Sequence, residues 1–151
     1  MFYKNRCYAQ VILADIAGRM GGKDSLNENK LTHSQLLIMK CVWDHGEDIS
    51  YQELMDVLAK RFGRDYHRST LVTFLQQMEN KGYITTHREG RFAYVHALMT
   101  EEEFQKVHAR EETDFWFHGK ASIFLSALYK AEGIPAEDAE QIRRLLDEWD
   151  H

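Results

Sequence analysis

Arg68, Ser69, Val72, Thr73, Gln76 and Gln77 share one side of the run 65–83, whose other side carries Leu71, Phe74, Leu75 and Met78. The apolar set is spaced i, i+3, i+4 and i+7, which marks one buried stripe of a helix. The polar set holds hydrogen-bonding and methyl-bearing groups, with no acid before Glu79. Its chemistry is recognition: arginine, serine, threonine and glutamine side chains donate to or accept from base edges in a major groove. An ordinary amphipathic surface helix would share much of this pattern, so the flanking elements must decide between the two.

Those elements are legible. Lys81-Gly82 closes the helix, a cation in the last turn followed by a residue that accepts positive φ. Upstream, Leu31-Thr32-His33-Ser34-Gln35-Leu36 is a helix start: Thr32 caps, Gln35 completes a capping box, and Leu31 staples to Leu36. Leu36, Met39 and Trp43 line one stripe of that helix, Ile38 and Val42 an adjoining one, and Asp44-His45-Gly46 ends it. Ile49-Ser50-Tyr51-Gln52-Glu53-Leu54 repeats the start, and its helix runs to about Phe62 before Gly63. Beyond Gly82 the period changes. Residues 83–87 and 91–96 are rich in β-formers and flank Arg88-Glu89-Gly90, a hairpin turn signal. Three helices followed by a hairpin with a basic tip describe a winged helix-turn-helix. Its third helix enters the major groove, and Arg88, Arg91 and Lys81 are placed for phosphates.

The net charge of −5 is unevenly spread. Residues 60–98 hold seven bases against three acids, a local +4, whereas 100–151 hold six bases against thirteen acids, a local −7. Phosphate contact is set by the local face and not by the total.

In this order, Leu31-Thr32, Ile38-Met39-Lys40, Trp43-Asp44, Ser69–Leu75, Glu79–Tyr83, Gly90-Arg91 and Tyr94 resemble the penicillinase-repressor family of bacterial transcriptional regulators, over residues 31–150. The resemblance implies a homodimeric winged-helix repressor on an inverted-repeat double-stranded DNA operator. It implies that Ser69, Thr70 and Thr73 face DNA and that Lys81 and Arg91 touch its backbone. Val72 and Gln77 stand where the family often has arginine. A thymine methyl for Val72 and an adenine edge for Gln77 would give a different operator. The paired Cys-x-Cys motifs of the copper-responsive branch are absent, as is the Asn-Phe bond cleaved in the β-lactam branch. A membrane sensor protease acting around residues 100–118 remains a candidate partner.

Thr100–Glu103 is another capping box, opening a helix to about His118. A second helix closes near Gly133, and Pro135 begins the last. Three helices alone have little interior, so Phe115, Trp116, Ile123, Phe124, Leu128, Tyr129, Ile142, Leu145, Leu146 and Trp149 are expected at a two-fold dimer interface. The alternative is packing on the chain's own winged helix.

The expected fold is therefore mainly α with a small β-hairpin. Residues 1–30 form a flexible or short-helical extension, 31–99 the winged helix-turn-helix DNA-binding domain, and 100–151 the helical dimerisation region. Arg64, Arg68, Lys81, Arg88 and Arg91 would supply affinity on phosphates. Ser69, Thr70, Val72, Thr73, Gln76 and Gln77 would supply specificity on bases.

Enzymatic motifs are missing: there is no G-x-S-x-G, Walker loop or dinucleotide turn, and eight histidines form no ligand spacing. No catalytic activity, cofactor or metal is expected. Cys41, inside an apolar helical pattern, fits a buried thiol in a reducing cytoplasm, and no apolar run is long enough to span a bilayer. Two other functions fit the same pattern: a winged helix used for protein–protein assembly, and a regulator holding a small apolar effector.

Overall fold

The computed structural model describes residues 29–150, so the extension expected over residues 1–30 lies almost wholly outside the described residues. The chain divides into two units after Glu101. The first contains α1 (His33–His45), β1 (Ile49–Ser50), α2 (Tyr51–Phe62), α3 (Arg68–Asn80), β2 (Ile84–Glu89) and β3 (Phe92–Ala97). The helices α4 (Glu101–Phe117), α5 (Ala121–Glu132) and α6 (Ala136–Trp149) follow. A mainly helical chain with a small antiparallel sheet is the winged helix expected from the sequence.

The capping boxes that open α1 and α2 form. The Thr32 hydroxyl accepts from Gln35 N at 3.4 Å while Thr32 N donates to Gln35 Oε1 at 3.1 Å. The Ser50 hydroxyl accepts from Glu53 N at 3.2 Å, and Ser50 N donates to Glu53 Oε2 at 3.4 Å. Each box satisfies donors that a helix start otherwise leaves without partners. Helix α3 differs: His67, the residue before it, makes no side-chain cap bond.

At the other end of α3, Gly82 adopts φ 84° and Tyr83 N donates back to the Met78 carbonyl at 3.1 Å. This closes the helix with a left-handed residue and turns the chain straight into β2.

The sheet corrects the sequence reading in two ways. It has three strands in the order β1-β3-β2, because Ile49 and Ser50 pair antiparallel with Val95 and Tyr94. A two-residue strand is too short to show the alternation by which strands are read. The hairpin turn is also shorter than Arg88-Glu89-Gly90. Pairing persists to Glu89↔Phe92, so only Gly90 and Arg91 form the loop, and Arg88 belongs to β2. Gly90 holds φ 61° at the first central position, a backbone conformation open to glycine that matches the right-handed twist of the strands.

Ile38, Met39, Leu54, Leu58, Leu71, Leu75, Met78, Ile84 and Val95 are buried and fuse the three helices and the sheet into one core. Each such side chain contributes about 1.5–3 kcal/mol on leaving water. The Trp43 indole N–H donates to the Met99 carbonyl at 2.8 Å and ties α1 to the chain leaving the sheet.

Cys41 lies in this core as a free thiol. Burial pushes its pKa up to about 11; Arg61 draws it down and Asp44 raises it, both by smaller amounts. The folded state therefore keeps the proton to higher pH than the unfolded chain does. Its contribution to stability is complete below pH 9.0 and is lost as pH rises towards 11. Peptide-resolved mass spectrometry after alkylation at pH 8 should find Cys41 unmodified in the native protein and modified in denaturant. Rapid native modification would contradict this burial.

No residue of α4, α5 or α6 is buried. Phe115 stacks edge-on against Trp116 at 4.8 Å, and Phe117 lies 5.2 Å from Phe124. Of the ten side chains expected at a dimer interface, Phe115, Trp116, Ile123, Phe124, Leu128, Tyr129, Leu145, Leu146 and Trp149 are exposed, Trp149 by 72%, and Ile142 is half-buried. None of the described helices is long and apolar enough to cross a membrane.

Candidate nucleic-acid interface

Helix α3 turns Leu71, Leu75 and Met78 into the core, which leaves Ser69, Thr73, Gln76 and Asn80 exposed at i, i+4, i+7 and i+11. These four make a continuous polar stripe along the helix. Asn80 was not among the residues singled out from sequence, although its spacing from Ser69 places it there. Thr73 spends its hydroxyl proton on the Ser69 carbonyl at 3.0 Å, so outwardly it offers a methyl group and acceptor lone pairs.

Beside this stripe, α3 and the wing enclose an open cleft of about 440 Å³. Arg68, Val72 and Gln76 line it from α3, Arg88 and Thr86 from β2, and Tyr51 from α2. The register explains Arg88: it pairs with Ala93, which is buried, so both belong to the sheet face turned towards α3. The Arg68 guanidinium sits 5.5 Å from the Tyr51 ring centroid, a contact that steadies the cation without neutralising it. Val72 is half-buried at this flank, not on the outward stripe, and Thr70 is half-buried as well.

Glu79 holds the wing in place. Its carboxylate accepts from Thr86 N at 3.1 Å and from the hydroxyls of Thr85 and Thr86 at 3.2 and 3.3 Å. The acid that ends the neutral stretch of α3 is thus taken up by β2. Arg91 stands exposed at the hairpin tip with its guanidinium 5.4 Å from the Phe92 ring, and Arg64 is exposed in the loop before α3. On the opposite sheet face Asp48 accepts from His96 Nδ1 at 2.6 Å and lies 3.5 Å from His87 Nε2.

Lys81 and Gln77 are more engaged than their spacing suggests. The Lys81 ammonium donates to the Lys30 carbonyl at 2.7 Å and to Gln35 Oε1 at 2.8 Å, and burial lowers its pKa. A phosphate contact from Lys81 would compete with both bonds. Gln77 Oε1 accepts from Gln35 Nε2 at 2.9 Å. Gln35, fully buried at the start of α1, is a residue that sequence reading saw only as a cap. Its partners lie 42 and 46 positions away, beyond any local signal.

A helix with an outward polar stripe, flanked by a hairpin carrying arginine at and beside its tip, is built to meet a duplex. Residues 31–148 match the family described as penicillinase repressor. The chain belongs to the penicillinase repressor family. That family comprises DNA-binding transcriptional regulators. This penicillinase-repressor-family protein is also similar to an uncharacterized 16.5 kDa protein in the ptsI 3′ region of Latilactobacillus sakei. The two are 28% identical over 120 residues, which cover 80% of each chain.

Proposed function

We propose that this protein is a homodimeric repressor that binds an inverted-repeat operator without catalysing any reaction and acts in the cytoplasm. Helix α3 lies in the major groove, where Ser69, Thr73 and Gln76 read base edges, with Thr70, Val72, Gln77 and Asn80 at the margins. Arg64, Arg68, Arg88 and Arg91 meet phosphates on either side. The observation that carries this reading is the pairing of an exposed polar stripe with a cationic cleft on one wing-and-helix surface, joined by the bond from Thr86 N to Glu79.

Dimerisation is supported by α4–α6, whose large apolar side chains are exposed and whose helices bury no residue. Single copies rarely leave so much apolar surface in water, and a two-fold partner covers the same patch on both chains. Sedimentation velocity at micromolar concentration should find dimers, and Trp149→Ala should shift them towards single copies. A chain sedimenting as one copy would remove the two-fold operator.

Selection from a randomised duplex pool, followed by gel shift near physiological salt, tests the DNA reading. Arg91→Ala should weaken all sequences alike and lower the slope of log K against log salt by about one. Thr73→Ala should instead change discrimination between sites by about tenfold. An Arg91→Ala protein with the parental salt slope would take the wing off the duplex.

A further inference from the structure

We propose that Gln35, which reaches no surface, is a positioning residue that fixes which end of the Gln77 amide faces the duplex. The inference rests on the operator-binding reading above. Gln35 Oε1 is bonded by two groups that can only donate in this setting, Thr32 N at 3.1 Å and the Lys81 ammonium at 2.8 Å. The oxygen end of Gln35 is therefore set by its partners. Its nitrogen end must point the other way, and the atom it meets at 2.9 Å on Gln77 must be an acceptor, Oε1. Gln77 is exposed, so what remains for a ligand is chiefly its Nε2, a donor.

A backbone N–H and a lysine thus pass one hydrogen-bonding sense through a buried amide to the flank of α3. Gln77 becomes a donor looking for an acceptor, and the two-point adenine contact expected from its side-chain type gives way to a one-sided contact. The duplex offers such acceptors as guanine N7 and O6, adenine N7, thymine O4, or a phosphate oxygen.

Gln35→Glu tests the relay with little threat to folding, because glutamate completes a capping box as well as glutamine does. A carboxylate cannot donate to Gln77 Oε1. It accepts from Gln77 Nε2 instead and turns the Gln77 oxygen outward. If Gln77 meets a base, selection from a randomised duplex pool should show cytosine, which presents a donor, gaining by about tenfold over guanine or thymine, which present acceptors, at one position per half-site, while adenine, which presents both, suits either orientation. If it meets a phosphate, Gln35→Glu should weaken all sequences alike by a similar factor. In either case the effect should vanish in a Gln77→Ala background, which separates the relay from the added charge.

Side-chain amide exchange followed by NMR needs no DNA. The Gln35 NH2 should exchange slowly in the parent, and the Gln77 NH2 should become the slow one in Gln35→Glu. An unchanged Gln77 exchange rate, or a Gln35→Glu effect as large with Gln77→Ala as without it, would overturn the relay. A parent chain that enriches no sequence would overturn operator binding and the proposal with it, while the exchange rates would still report the amide's orientation.

Discussion

Replacing Arg68 and Arg88 together by alanine is expected to lower affinity for any duplex by about 10–100-fold near physiological salt and to reduce the salt slope by about two. The two cations approach the same cleft from opposite walls, one from the first turn of α3 and one from β2. Each phosphate neutralised releases about 0.9 of a condensed counterion, so two lost contacts remove nearly two units of slope. Both side chains are exposed and neither belongs to the core, so the melting temperature should stay close to the parent's. Fluorescence anisotropy with a labelled duplex, titrated between 50 and 200 mM salt, measures the slope. An unaltered slope would mean that neither arginine reaches phosphate.

Leu75→Ala should act in the opposite way, on stability and not on phosphate contact. Leu75 is 1% exposed, packed in the core, and also floors the cleft between α3 and the wing. Removing its isobutyl group should destabilise the winged helix by about 2–5 kcal/mol, from lost burial plus the cavity left behind. Against a usual total of about 5–15 kcal/mol this is a large share, and for a unit of this size it lowers the melting temperature by about 10 °C or more. Calorimetry gives the shift directly. At temperatures where the variant remains folded its salt slope should match the parent's. A loss under 1 kcal/mol would mean that the site is far less tightly packed than described.

The sequence made some of this architecture plain and hid the rest for physical reasons. Helix starts are local: Thr32 with Gln35 and Ser50 with Glu53 act over three residues, so their capping could be read directly. The buried stripe Leu71, Leu75 and Met78 is equally local, set by 3.6 residues per turn. The third strand was invisible because two residues carry no period, and its existence depends on pairing with residues some 45 positions further on. The site shows the same division. Exposure of Ser69, Thr73 and Gln76 follows from helix geometry, whereas the engagement of Lys81 and Gln77 depends on a buried residue of another helix. Arg88 was recognised as basic and near the tip, but only the strand register shows that it faces α3. The C-terminal aromatics were legible as an apolar surplus, since Phe115, Trp116, Tyr129 and Trp149 crowd helices that bury nothing.

The three bonds from Glu79 to Thr85 and Thr86 reach beyond local order. They give the probe a fixed jaw. A hairpin free to swing could follow whatever groove width it met, but a pinned one leaves that adjustment to the nucleic acid. Stiff and pliant base steps outside the contacted positions would then differ in how readily they comply, and compliance is itself a property of sequence. Sites with identical contacted bases and different flanks should differ in affinity by a few-fold, and Glu79→Gln should narrow that spread. Equal affinities across flanks would show that the jaw yields after all.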